Sequence, residues 1–148
     1  MACLGCAAGI SVIAPRAEAA LGGTVNSITS DRKALSAVHR ATTSRDAYTI
    51  QEIQSESATV REYVSLSGVV FGVAWNGLVH PDLATLLGSY ADEYRAAVAQ
   101  TTRKRGVRRL RVRSEHVVVE TWGHMRNLQG RAYNPALIPS GVTIDEIK

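Results

Sequence analysis

From Ala47 to Trp75 apolar and polar residues alternate with a period of two, the pattern of strands that bury one face. Residues 47–53 form a first run rich in β-branched and aromatic side chains, and Ser55-Glu56-Ser57 turns the chain. Residues 59–66 form a second, with Val60, Val64 and Leu66 on a shared face. Ser67-Gly68 is expected as a two-residue hairpin turn, because glycine takes a positive φ at little steric cost. Residues 69–75 resume the pattern with Phe71, Val73 and Trp75 on one face. Short polar turns between such runs predict a three-stranded antiparallel meander.

The period then changes. Asn76-Gly77 ends the third run, and after Pro81 the residues Leu83, Leu86, Leu87, Tyr90, Tyr94 and Val98 recur at spacings of three and four. Proline at the first helical position forfeits no intrahelical hydrogen bond, and Asp82 beside it suits the positive end of the helix dipole. One long amphipathic helix is therefore predicted from Pro81 to residue 99, packed across the sheet. Gly88 within it costs about 1 kcal/mol relative to alanine, which implies a close contact there. A shorter helix is predicted after the capping pair Ser30-Asp31, with Leu35 and Val38 as its buried edge. Residues 116–122 predict a fourth strand stopped by Gly123. The remainder, through Pro135, Pro139 and Gly141, reads as extended loop, in which Val142, Ile144 and Ile147 can form a terminal strand or helical turn. Strands followed by a helix and a further strand give an α+β class: an antiparallel sheet with one face covered by the long helix.

The first twenty residues follow neither period. Residues 2–14 are small and apolar without a charge, Pro15-Arg16 interrupts them, and Ala17-Glu18-Ala19 is a small-x-small tripeptide. This is the layout of a secretory signal peptide at 1–19, leaving a single domain at 20–148 that works in the periplasm or outside the cell. No Lys or Arg precedes the apolar segment, as expected if translation starts upstream of Met1. Cys3 and Cys6 both fall in this leader, so the mature chain is expected to hold no thiol or disulfide. No apolar run reaches the roughly 20 residues that span a bilayer. A hydrophobic fraction of 45% and a charged fraction of 20% exclude a disordered chain.

Charge alters this picture locally. Arg103, Lys104, Arg105, Arg108, Arg109, Arg111 and Arg113 are seven of the 17 basic residues, so the net +4 belongs to one short run. Arginine forks match phosphate and carboxylate, which makes this run a candidate site for an anionic polymer. No aromatic residue is interleaved for base stacking, and export also speaks against nucleic acid as partner. The competing reading is a solvated loop and a charged edge strand that resists aggregation.

Several phrases together resemble one family. They are Ala20-Leu21-Gly22-Gly23, Arg61-Glu62-Tyr63-Val64, the stretch 68–77, Pro81-Asp82-Leu83 with Leu86-Leu87-Gly88-Ser89-Tyr90, and Gly123-His124-Met125-Arg126 with Gly130-Arg131-Ala132-Tyr133. The chain resembles the small exported proteobacterial family, common in Burkholderia and its relatives, called domain of unknown function 2844. The resemblance spans nearly all of residues 20–148 and implies export. It carries no established activity and no catalytic residues to transfer, and the basic run lies outside its phrases.

Other candidate chemistry is sparse. His124 titrates near neutrality, and with Arg126, Arg131 or Tyr133 it can hold an anion or act as a base in an envelope hydrolase. The competing reading is a structural turn whose histidine and arginine bond backbone carbonyls. Neither a Gly-x-Ser-x-Gly elbow nor metal-ligand spacing is present, and His39 and His116 stand alone. His80-Pro81-Asp82 is too small a set for a metal. A buried Glu62 would need a partner such as Arg131. No metal and no cofactor is expected. The leading expectation is a non-enzymatic binding protein of the cell envelope, its partner an envelope protein or an anionic surface polymer. The alternatives are the His124 hydrolase and a structural or assembly subunit with an open sheet edge.

Overall fold

The computed structural model describes residues 21–24, 28, 32, 33, 35–102 and 106–148. Its strands are β1 (Val38–Ser44), β2 (Tyr48–Gln54), β3 (Ala58–Ser65), β4 (Val70–Gly77), β5 (Leu110–Arg113), β6 (Val118–His124) and β7 (Asn127–Tyr133). They pair antiparallel throughout in the order β1-β2-β3-β4-β7-β6-β5, which makes β4 and β7 central and leaves β1 and β5 as edges. One face is covered by α1 (Leu83–Leu87), a 3-10 turn at Gly88–Tyr90 and α2 (Ala91–Gln100). The segment after Tyr133 packs on the other face and ends in a 3-10 turn at Ile144–Glu146. The α+β class, the meander and the helical layer are those that the periodicities predict.

Each face has its own core. Ile53, Val60, Val64, Val73 and Trp75 meet Leu86 and Leu87 on the helical face. Tyr48, Tyr63, Phe71, Val118 and Tyr133 gather around Ile147 on the opposite face. Phe71 departs from the expected alternation because of a bulge. Tyr63 pairs with Gly72 and Val64 with Val70, so Phe71 is the extra residue and joins the face opposite Val73 and Trp75.

Other differences have equally local causes. The hairpin loop holds three residues, since the Ser65 N–H donates to the Val69 carbonyl, and Gly68 takes φ 82°. Leu66 sits in that loop and is exposed instead of sharing the face of Val60 and Val64. The helix starts two residues later than expected, at Leu83, with Asp82 as its cap. Asp82 Oδ1 accepts from the Ala84 N–H at 3.0 Å and its Oδ2 from the Thr85 hydroxyl at 2.7 Å. Gly88 adopts φ 48°, which breaks the expected continuous helix into α1 and α2. Val38 is the exposed first residue of β1, not the edge of a helix. The leader and the Ser30-Asp31 pair lie outside the described residues.

β6 runs through Gly123 to His124, and β7 replaces the expected loop. The sequence of β7 hides its burial because its helical face carries Gly130 and Ala132. The indole of Trp75 lies where a Gly130 Cβ would stand. Ile147 fills the corresponding space over Gly72, its Cδ1 2.8 Å from where a Cβ would stand. Ile147→Ala should lower unfolding free energy by about 3 kcal/mol in urea titration, as for other buried aliphatic truncations. Gly130→Ala should cost about 2 kcal/mol by overpacking.

Candidate functional site: a cationic edge

The basic run leads into β5, an edge strand. Alternation turns Val112 into the core and leaves Arg111 and Arg113 exposed, and Arg108 and Arg109 are exposed just before the strand. Arg111 Nε lies 3.2 Å from Glu120 Oε1. Arg108, Arg109 and Arg113 make no ion pair among the described residues. Arg103, Lys104 and Arg105 lie outside those residues. A concave surface of about 410 Å³ opens beside the strand, lined by Arg108 and Arg109 together with Thr101, Thr102 and Thr121; Arg111 borders it from β5, but its guanidinium pairs with Glu120 on the opposite face of the sheet. Arginine and threonine residues lining one hollow suit an anion such as phosphate, sulfate or carboxylate.

His80 lines the same hollow, a residue that sequence spacing gave no reason to join to the arginines. Its Nδ1 accepts the Trp75 indole N–H at 2.9 Å, which puts the proton of the neutral ring on Nε2. Burial lowers its pKa from the ordinary 6.5. His80 also borders a second hollow of about 500 Å³ between the β2–β3 turn and the start of α1.

Of the residues named for the alternative hydrolase, Arg131 and Tyr133 lie away from His124, while Arg126 shares its hairpin tip. His124 pairs with Asn127 at one end of the β6–β7 hairpin, and Tyr133 pairs with Val118 at the other. His124 and Arg126 are exposed at the hairpin tip, whereas Tyr133 is buried in the core. Arg131 is committed to the fold. Its Nε donates to Glu120 Oε2 at 2.6 Å and its Nη1 to the Ile144 carbonyl at 2.8 Å. Its guanidinium carbon also lies 5.9 Å from the Trp122 ring centre and 6.0 Å from that of Tyr133. Glu62 is buried, but Arg131 is not its partner. Glu62 aligns with Val73 and Ala132 on the helical face, while Arg131 occupies the opposite one.

The two isolated histidines make local contacts. His39 Nε2 meets Thr42 and Gln51 at 3.0 and 2.9 Å on the β1–β2 edge. His116 ties the β5–β6 turn to α2, its N–H donating to Glu93 Oε1 at 2.8 Å. Burial pushes the Glu93 carboxyl up, but the His116 N–H, the Ser114 hydroxyl and the His116 ring outweigh it and hold the carboxyl below its usual range. No group of three or more His, Cys, Asp or Glu residues that could hold a metal occurs among the described residues.

A family model described as a protein of unknown function (DUF2844) matches residues 17–147. The chain belongs to the DUF2844 family. No curated protein and no solved structure matches it. The DUF2844 match therefore brings no activity or ligand, and the chemistry of the site rests on its own residues.

His80 supplies a pH test of this geometry. A histidine with a depressed folded pKa contributes its full stability above the unfolded value near 6.5, and loses it as pH falls below that value towards the folded pKa. Thermal unfolding temperature should therefore drop as pH falls from neutrality through the unfolded value near 6.5. His80→Asn, whose Oδ1 can accept from Trp75, should flatten that part of the profile.

Proposed function

We propose that this DUF2844 protein is an exported, non-enzymatic binding protein whose β5 edge takes an anionic surface polymer of the cell envelope. The observation that carries this reading is the pair of exposed arginines Arg108 and Arg109 beside a hydroxyl-lined hollow, with Arg111 next to them on the edge strand. An arginine fork binds each anionic group through paired hydrogen bonds, and a polymer multiplies such contacts along the strand. The same charges also oppose edge-to-edge pairing of sheets. Both effects follow from one placement.

Export is supported by the leader layout, and Leu21, just past Ala19, is already buried in the core. Its N–H donates to the Leu86 carbonyl at 3.2 Å, and the Gly22 N–H donates to that of Val70 at 2.8 Å. Mass spectrometry of protein recovered from the cell envelope should find a chain that begins at Ala20. A chain from the cytosol that retains Met1 would remove export.

For the ligand, titration at low ionic strength with heparin, lipopolysaccharide and peptidoglycan fragments should show binding that weakens as salt rises. Replacing Arg108, Arg109 and Arg111 by alanine should reduce affinity about a hundredfold, given roughly 1 kcal/mol for each charge. Wild-type protein that binds none of the three, or a variant that binds as well as wild type, would exclude the polymer.

A further inference from the structure

We propose that the end of the sheet bearing the β6–β7 hairpin docks onto an anionic lipid bilayer surface, its apolar loop tips entering the interface between cations. This rests on the reading of the cationic edge as an anion-binding surface and names its partner.

The antiparallel register assembles this rim from segments far apart in sequence. Ala58 pairs with Gly77, Gly77 with Leu128, His124 with Asn127, and Thr121 with Leu110. The loop after β4, the β6–β7 turn and the approach to β5 therefore share one end of the sheet. Each presents an apolar side chain to water. Met125 is 91% exposed, Val107 58%, Leu78 55% and Val79 50%. Of the large hydrophobic residues exposed elsewhere among the described residues, Val38 also lies at this end, while Leu66 and Ile144 do not. Three strand spacings, about 14 Å, separate β4 from β5.

Cations flank the tips. Arg126 follows Met125, and Arg108 and Arg109 follow Val107. The acidic groups of the neighbouring loops are Glu56, in the β2–β3 turn, and Asp82, whose oxygens cap α1. A soluble polyanion would engage the cations and leave Met125 and Val107 in water. A bilayer interface takes both: the side chains leave water for the acyl boundary while the cations meet lipid phosphates. Among the described residues no helix is long and apolar enough to cross a membrane, and surface docking requires none.

The experiment pairs vesicle co-sedimentation with heparin affinity, using the intact protein. Vesicles of phosphatidylcholine mixed with phosphatidylglycerol should bind it, and vesicles of phosphatidylcholine alone should bind about tenfold less or weaker. Met125→Ser combined with Leu78→Ser alters exposed positions outside the arginine-lined hollow, and an unchanged melting temperature verifies its fold. This variant should lose about tenfold on the mixed vesicles while its heparin affinity stays the same. Vesicle binding that is indifferent to these substitutions would overturn the proposal. Heparin binding without vesicle binding would overturn it too, leaving the polymer reading intact, whereas vesicle binding without heparin binding would support it alone. Binding to neither would overturn both. If light scattering shows a dimer that these substitutions dissolve, the tips serve a second copy and the lipid proposal falls.

Discussion

The fold depends on side chains that fill the space above two central glycines. Trp75 lies over Gly130 and Ile147 lies over Gly72, one on each face of the sheet. Neither glycine strand could be buried by its own side chains, so the two faces close only when a neighbouring strand and the C-terminal segment supply the missing volume. Voids of that size would forfeit the contacts that hold β4 and β7 at the centre.

The same tryptophan links the core to the cationic end of the sheet. Its indole N–H needs a partner once the ring is buried, and His80 Nδ1 provides it. That bond holds the loop after β4 over the end of the sheet and brings His80 to the hollow lined by Arg108 and Arg109. On the opposite face Glu120 gathers Arg111 and Arg131, and Arg131 fastens the C-terminal turn through the Ile144 carbonyl. Tyr63 completes that fastening, its hydroxyl donating to the Lys148 carbonyl at 2.8 Å and accepting the Lys148 N–H at 3.0 Å. Charges inside this network serve the fold, whereas Arg108, Arg109 and Arg113 stand outside it.

The meander and helical stripe were legible because their side chains reproduce the period of the backbone. Val60, Val64, Leu86 and Leu87 point where alternation and three-four spacing place them. β7 was not legible, since Gly130 and Ala132 carry almost no apolar signal and depend on Trp75 for burial. β1 was missed for a different reason: every residue is exposed, so no face is marked by hydrophobicity. The basic run was plain in the sequence, but its alliance with His80 and the threonines of the helix end was not.

Local order therefore determined the meander, the helical stripe, β6 and the basic run, because these follow from the chemistry of adjacent positions. Tertiary structure decided which residues meet. It placed Phe71 on the second face through a bulge, separated His124 from Tyr133, and committed Arg131 to Glu120. It also aligned Leu78, Val107 and Met125 along one end of the sheet. The physical reason is that strand register couples residues dozens of positions apart, and no local period records that pairing.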